Sequence, residues 1–465
     1  MKKGSELYKL VYEYYEARIL HGFYPFDTRL PSINKICDIF HLAPTTVRRA
    51  LAGLEKEGYI RIDARRAARV TYQKTPGHLR ENAARYFVPR GDGILDLTRS
   101  GGLLLEPLWK AGLSRWDDLD WEALRRDIAN PASSLAAVPV EFYILAVNAL
   151  DNRLALNLLW ETIRYLRFPY LTNSGGPLTA SGGQPVSTRE EAVVLLRQES
   201  ERSYGTHLNL LMAFIGQARQ EYQLCDAAPV PFTWNIYRQR PQLRYSLAAT
   251  LIRSVANGQY PKGSYLPSLP QLVDQYHVPL MTVRRTLETL EELGITRSYH
   301  GKGTMVCMTP VEIHFSNSAI QEGFLLYRDC LQLLALTCRG IARCALDGAG
   351  PEKISQLRER YRSLIEEGKS FLCYDAILSF IVSECPLDMV RECYDKLQKL
   401  LAWGYPFALS QAGENSLHSV YEKPAAQLLG CLCTGSADDF SALLEQLFLQ
   451  EEALVRRFVD SRLAH

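Results

Sequence analysis

The sequence predicts a mainly α-helical protein with small β wings, built as a tandem duplication of a small domain followed by an all-helical domain. Residues 45–60, TTVRRALAGLEKEGYI, return as residues 281–296, MTVRRTLETLEELGIT. Both copies lie in basic islands of the chain. The long segments that follow them carry apolar residues at helical spacing, as in VEFYILAVNALDNRLALNLLWETIRYL.

The repeat is much longer than these sixteen letters. Residues 7–70 align with residues 243–306 without a gap. An insertion in either copy would shift the helical phase, so gapless spacing predicts the same fold twice. Identical pairs include Gly22/Gly258, Pro31/Pro267, Ser32/Ser268, Thr46/Thr282, Arg48/Arg284, Arg49/Arg285, Glu55/Glu291 and Gly58/Gly294.

Three helices and a hairpin are predicted in each copy. The first helix covers about residues 6–20 and ends at the glycine and proline of HGFYP, or NGQYP in the second copy. A short second helix follows LPS, with Ser32 or Ser268 as its N-cap. A third helix covers about residues 44–57, and Gly58 or Gly294 ends it. The segment beyond predicts a two-stranded hairpin.

This order of elements is that of the winged helix-turn-helix, whose third helix enters the major groove of DNA. Apolar residues at inward spacing leave Thr45, Thr46, Arg48, Arg49 and Ala52 on the outer side of that helix. Arginine can contact phosphates and base edges, and short threonines let the backbone approach DNA closely. The alternative is an ordinary solvated helix face, which two matching copies in basic islands make less attractive.

The motifs resemble a known family. The order of LPS, a short helix, TTVRRAL, LEKEGYI and a hairpin, with GKGT in the second wing, resembles the DNA-binding domain of the GntR family of bacterial transcription regulators. The resemblance covers about 65 residues in each copy. It implies a one-component regulator in which a ligand-binding domain follows the DNA-binding domain.

Both copies depart from the family pattern. The arginine usual two residues after the LPS serine is replaced by Asn34 and Pro270. The usual Ser-Arg before the third helix is Ala43-Pro44 in one copy and Pro279-Leu280 in the other. The second wing keeps its glycines, whereas the first has the arginine-rich DARRAAR. We therefore expect the two copies to read different DNA half-sites.

The candidate DNA-contacting residues follow from the fold and the resemblance. They are Ser32, Asn34, Thr45, Thr46, Arg48, Arg49, Arg65, Arg66 and Arg69 in the first copy, and Ser268, Thr282, Arg284, Arg285, Gly301, Lys302, Gly303 and Thr304 in the second.

Four domains are predicted. They are a winged helix-turn-helix over residues 1–75, a helical domain over 76–233, a second winged helix-turn-helix over 234–309 and a second helical domain over 310–465. Residues 171–188 are expected to form a flexible loop and residues 225–234 a linker. Among the aromatic residues of the first helical domain, a set could line a ligand pocket, although core packing is the more common role: Tyr143, Trp160, Tyr165, Phe168 and Tyr170.

Charge and composition narrow the function. The net charge is +2, yet residues 1–75 carry 14 Lys and Arg against 8 Asp and Glu, and residues 238–308 carry 9 against 4. Two basic islands in an otherwise acidic chain favour two modules that bind a polyanion. No signal peptide, membrane span or disulfide framework is expected, which indicates a cytoplasmic protein.

Other site types lack the required residues. Each helical domain has too few histidines for the three-histidine metal site found in one branch of the family, so no metal and no cofactor is expected. Neither helical segment is long enough for the pyridoxal-phosphate enzyme domain of another branch. No phosphate-binding glycine loop or nucleophile elbow appears, and we do not expect an enzyme.

The leading hypothesis is a sequence-specific regulator, such as a repressor, that binds double-stranded DNA. The duplication would supply an intramolecular pseudo-dimer with two non-identical half-sites, and a small-molecule effector or partner would act at the helical domains. Further association of chains stays open. The alternative is an interaction or scaffold protein whose heads, especially the first, no longer read bases.

Overall fold

The computed structural model describes residues 7–20, 24–40, 42–63, 66–73, 76–122, 138–166, 189–236, 242–412 and 417–463. These residues are mostly helical, with two antiparallel two-stranded sheets. The predicted fold class is confirmed.

The first half begins with three helices and a small sheet, followed by helices only among its described residues. Residues 88–90 form a 3-10 turn and residues 118–122 a short helical segment. The elements are α1 (Leu7–Leu20), α2 (Ile33–Phe40), α3 (Pro44–Lys56), β1 (Ile60–Arg61), β2 (Arg69–Val70), α4 (Pro76–Phe87), α5 (Gly91–Leu104), α6 (Glu106–Leu113), α7 (Val138–Asn148), α8 (Arg153–Leu166) and α9 (Arg189–Glu221).

The second half repeats the opening pattern and continues with longer helices. A 3-10 turn covers residues 370–372. The elements are α10 (Gln242–Ala256), α11 (Leu269–Tyr276), α12 (Leu280–Glu292), β3 (Thr296–Tyr299), β4 (Gly303–Val306), α13 (Ser318–Gly348), α14 (Pro351–Glu366), α15 (Cys373–Glu384), α16 (Asp388–Leu401), α17 (Gly404–Ala412), α18 (Leu417–Thr434) and α19 (Ala437–Leu463).

The chain divides into two compact units. The first contains residues 1–98, 109–151 and 156–233, and the second contains residues 234–465 together with 99–108 and 152–155. Each unit therefore holds one α–α–α–β–β segment and a set of further helices. We call residues 7–70 the first head and residues 243–306 the second head.

In the first unit, the head packs against the helices that follow it. Phe40 of α2 stacks on Trp160 of α8 with ring centroids 5.0 Å apart. Arg164 of α8 forms an ion pair with Glu13 of α1. The head is thus joined to this helical region by side-chain contacts as well as by the chain itself.

The aromatic residues considered for a ligand pocket have structural roles where they are described. Trp160 and Tyr165 are buried, and the Tyr165 hydroxyl donates to the Val230 carbonyl at 2.7 Å. Tyr143 packs edge to face on Phe142. Phe168 and Tyr170 lie outside the described residues.

The predicted linker packs against the first unit. Residues 227–233 form neither helix nor strand, but the Val230 amide donates to the Pro89 carbonyl at 2.7 Å. Phe232 is buried and packs on Tyr165. The segment is therefore a docked connection. The predicted loop at 171–188 lies outside the described residues.

In the second unit, α13 and α19 pack along each other and α10 of the head packs on α16. Arg253 of α10 donates to Asp375 of α15 at 2.9 Å. Ala256, at the end of α10, is buried with Leu364 and Leu372. These contacts attach the second head to its helical region.

The stretch 152–155 is built into the second unit by a buried polar group. Asn152 donates to the Asp329 carbonyl at 2.8 Å and to Gln332 at 2.7 Å. Arg153 pairs with Glu322 at 3.0 Å and with the buried carboxylate of Asp329 at 3.4 Å. A piece of the first half of the sequence is thus a structural part of the second unit.

Several cysteines lie on the helices outside the heads. Among them, Cys330, Cys338 and Cys373 are buried. No described helix is long and apolar enough to cross a membrane, and no cluster of three or more His, Cys, Asp or Glu among the described residues could hold a metal ion.

Candidate nucleic-acid interface

The two heads share their wing register. Ile60 pairs with Val70 in the first sheet and Thr296 with Val306 in the second, the same positions of the repeat. Each head also has one isolated β-bridge outside its pair of strands. Arg29 pairs with Arg69 in the first head, and Tyr265 pairs with Met305 in the second. The repeat therefore preserves the hydrogen-bonding register as well as the order of elements.

A conserved position of the repeat ties each wing to its third helix. The Ile62 amide donates to Glu55 Oε1 at 2.7 Å, and the Ser298 amide donates to Glu291 Oε1 at 3.4 Å. The carboxylate gives a strand-end amide an acceptor and fixes where the wing leaves the helix. This explains why glutamate occurs at both positions.

The predicted N-caps of the second helix are present in both heads. The Lys35 amide donates to Ser32 Oγ at 3.3 Å. In the second head, Ser268 forms a capping box with Gln271, whose Oε1 accepts from the Ser268 amide at 2.8 Å. Both serines are exposed, as are Asn34 and Pro270.

The third helix of the first head has one exposed face and one buried face. Val47, Ala50, Leu51 and Leu54 are buried. Five exposed residues between positions 44 and 52 are spaced by one, three, one and three positions, which places them on one side of the helix. We call them the first outer face: Pro44, Thr45, Arg48, Arg49 and Ala52.

The second head exposes the equivalent positions of α12. We call them the second outer face: Leu280, Met281, Arg284, Arg285 and Glu288. Both heads therefore present an arginine pair at the same place, facing solvent. The guanidinium groups are accessible to a large partner such as a duplex.

Two threonines lie at the edge of these faces. Thr46 and Thr282 are half-buried, which differs from the fully outward orientation expected for Thr46. Each follows the exposed Thr45 or Met281 by one residue. This position turns its side chain toward the buried side of the third helix. Within the first outer face, the Arg49 guanidinium lies over the Tyr8 ring at 4.1 Å, a cation–π contact that orients it.

Two of the three candidate arginines of the first wing lie within the described residues. Arg66 is exposed and Arg69 is half-buried, while Arg65 lies outside the described residues. Arg69 Nη1 donates to Asp27 at 2.6 Å. Its positive charge therefore already has a carboxylate partner, which the sequence interpretation did not include.

The second wing has the thin tip expected from its glycines. Gly301 and Gly303 have φ values of 71° and 105°, in the region that favours glycine. Lys302 is exposed between them and Thr304 is half-buried at the start of β4. Because glycines have no side chain, the tip can approach a partner closely, and Lys302 is the charged residue at that tip.

Sequence comparison identifies both heads. The family described as "Bacterial regulatory proteins, gntR family" matches residues 7–70 and again residues 243–306. The chain contains the GntR-family domain twice. The resemblance predicted from the repeated motifs is confirmed, and the two matches coincide with the gapless repeat.

Individual relatives cover less of the chain. An HTH-type transcriptional repressor of Salmonella typhimurium, STM4068, is 29% identical over 68 residues, which is 15% of this chain and 28% of that protein. The chain thus spans little more than a quarter of the length of this relative. The 68 matched residues are about as many as one GntR-family domain contains.

Solved structures also align with parts of the chain. E. coli McbR/YncC is 13% identical, with 46% of this chain and 97% of that chain covered and a TM-score of 0.27. A GntR regulator from Pseudomonas syringae is 18% identical, with 50% and 91% covered and a TM-score of 0.26. Because these TM-scores are low, no argument rests on the alignments.

A cleft lies beside the segment that leaves the second GntR-family domain. It has a volume of about 270 Å³ and is lined by Pro310, Val311, Glu312, Ile313, Ser410, Gln411, Phe458 and Arg462. Arg462 donates to Glu312 at 3.0 Å across it. The volume is near the lower end of small-molecule sites.

The sequence interpretation missed two residues of the second outer face. Leu280 and Met281 are 44% and 56% exposed, but only the polar residues of the helix were considered as contacts. Helical spacing alone places both of them one turn before Arg284 and Arg285, so the signal was present in the sequence.

Proposed function

We propose that this protein is a transcriptional regulator of GntR type that binds double-stranded DNA through both heads. The observation that carries the proposal is the exposed arginine pair on each third helix, at identical positions of two GntR-family domains. In winged helix-turn-helix proteins this helix is the one that enters a major groove, where arginines contact phosphates and base edges.

The two heads form an intramolecular pseudo-dimer that reads two non-identical half-sites. Support comes from the outer faces, which share their arginines but differ at the other three positions. The wings differ as well, with Arg66 and Arg69 in one and Gly301, Lys302 and Gly303 in the other. Different side chains at base edges select different bases.

A small-molecule effector acting at the helical regions is part of the proposal. The cleft beside Pro310–Ile313 supports it, because the amide of neighbouring Thr309 donates to the Gly294 carbonyl at the end of α12. A ligand there would touch the chain that leaves the head. The substitution Ser410→Trp fills the cleft. If a metabolite raises the melting temperatures of the wild type and of this variant equally, the effector site lies elsewhere.

Charge reversal tests DNA binding by each head. A duplex enriched from a random library by the full chain would be titrated with Arg48→Glu/Arg49→Glu and with Arg284→Glu/Arg285→Glu. We expect each variant to bind at least tenfold more weakly. The slope of log affinity against log salt should fall by about 0.9 for each lost phosphate contact.

The matched control is Arg360→Glu/Arg457→Glu, which makes the same charge change at exposed arginines of the helical regions. It should bind like the wild type apart from a small general charge effect. If both head variants bind as well as this control, the heads do not contact DNA and the scaffold hypothesis is preferred.

A further inference from the structure

The second outer face combines two chemistries. Arg284 and Arg285 are polar and charged, but Leu280 and Met281, at the first turn of α12, are large apolar side chains that are 44% and 56% exposed. A single exposed apolar residue is common on protein surfaces. Here two adjacent apolar residues lie on the same face of α12 as an arginine pair. The N-terminal end of the second outer face is therefore apolar.

The first outer face has no such pair of large apolar side chains. Its equivalent positions hold Pro44 and Thr45, both exposed and both shorter than leucine or methionine. Since the two heads otherwise share helix bounds, wing register and arginine positions, the apolar pair is a local difference at one helix terminus.

Thymine is the base that matches an apolar helix terminus. In the major groove it presents a C5-methyl group, which apolar side chains contact. The N-terminal residues of a helix lying in the groove are those that reach base edges. Arg284 and Arg285, one turn later, supply the attraction to the DNA backbone that holds this end of the helix at the bases.

We infer that Leu280 and Met281 contact the methyl groups of thymines, so that the second half-site contains thymine where these side chains reach it. This inference rests on the proposed function, because it requires α12 to enter the groove. It assigns thymine selection to the second head and accounts for part of the difference between the half-sites.

Uracil substitution measures the contact directly. Replacing thymine by uracil removes the C5-methyl group and keeps the Watson–Crick pairing. In the duplex enriched by the full chain, each thymine would be replaced in turn and the dissociation constant measured. We expect about fourfold weaker binding at each thymine that these side chains contact, the effect of burying one methyl group.

Three variants locate the effect. Leu280→Ser/Met281→Ser should lose the uracil penalty, Met281→Leu should retain it, and Leu454→Ala, which removes an exposed apolar side chain on α19, should behave like the wild type. Thermal unfolding of each variant checks that the second head is folded.

The outcomes separate the two proposals. If the chain enriches no duplex, or if the arginine variants bind normally, the proposed function fails and this inference fails with it. If binding is sequence-specific but uracil has no effect, or has the same effect in the double serine variant, only this inference is overturned. A change of oligomeric state in that variant, with uracil effects unchanged, would assign the pair to a protein contact and also overturn it.

Discussion

Asp27 and Gly263 occupy the same position of the repeat and the same unusual backbone conformation, with φ values of 71° and 88°. A left-handed residue other than glycine carries steric strain, although aspartate tolerates it better than most. Asp27 also accepts the hydrogen bond from Arg69 at 2.6 Å. The first head thus has a carboxylate where the second has none.

Asp27→Gly should therefore release Arg69 for DNA. The exposed ion pair is worth at most about 1 kcal/mol, and the strain relieved is of similar size, so stability should change little. We expect tighter DNA binding, with a salt slope steeper by about 0.9 if Arg69 gains a phosphate. Asp27→Asn removes the charge and keeps the side chain, and it should act in the same direction. An unchanged slope in both variants would contradict the role of Arg69.

Glu451 of α19 is expected to make the stability of the second unit depend on pH. Burial raises the pKa of this carboxyl, and the hydroxyls of Tyr421 and Tyr327 donate to it at 3.3 and 3.4 Å. A folded-state pKa above the unfolded value means that the folded state holds the proton more tightly. Stability from this group is thus present at low pH and lost as pH rises through the folded pKa.

Glu451→Gln should stabilise the protein at pH 7 and have little effect below pH 4. The amide keeps an oxygen acceptor for both tyrosines and never ionises. Melting temperatures of wild type and variant across this pH range test the prediction. Parallel curves would show that the carboxyl has the same pKa in the folded and unfolded states.

Element bounds were well predicted because the heads contain strong local signals. The third helix was expected over 44–57 and is Pro44–Lys56, and both serine caps lie where the LPS motif put them. Long-range partners were not predictable. Arg69 and Asp27 are 42 residues apart in sequence, and no local pattern marks such a pair.

Two further misses have the same origin. The docking of Val230 and Phe232 depends on Pro89 and Tyr165, which are distant in sequence. The half-burial of Thr46 depends on how the helices of the head pack. Periodicity predicts which side of a helix is buried, but it does not fix residues at the edge of that side.

The glycines that end the third helices allow the packing around the same helix end to be compared in the two heads. Gly58 and Gly294 both have positive φ values, 78° and 70°. A Cβ at Gly58 would meet no atom within 4 Å, whereas one at Gly294 would lie 2.2 Å from the Thr309 carbonyl oxygen. The same substitution thus meets open space in one head and backbone in the other.

Gly58→Ala should cost about 1–2 kcal/mol, the strain of a left-handed alanine. Gly294→Ala should cost clearly more, because the segment that leads to the helical region must also move. Chemical denaturation of both variants measures the difference. Equal costs would mean that Thr309 moves away without loss of stability.

At the scale of the whole molecule, the operator should be asymmetric. Each chain carries two outer faces that differ at three of five positions, so we expect a footprint with two half-sites of different sequence. Arg48→Glu/Arg49→Glu should erase protection of one half and Arg284→Glu/Arg285→Glu that of the other. Uniform weakening of a perfect palindrome by either variant would contradict the pseudo-dimer.

The two outer faces are encoded by different codons of one gene, and this has an evolutionary consequence. In a regulator that pairs identical subunits, one mutation alters both halves of the interface at once, and every target must change symmetrically. Here a codon change at Met281 leaves Thr45 untouched. Under the proposed function, mutations in one head could change the half-site that it reads while the other head keeps its own half-site.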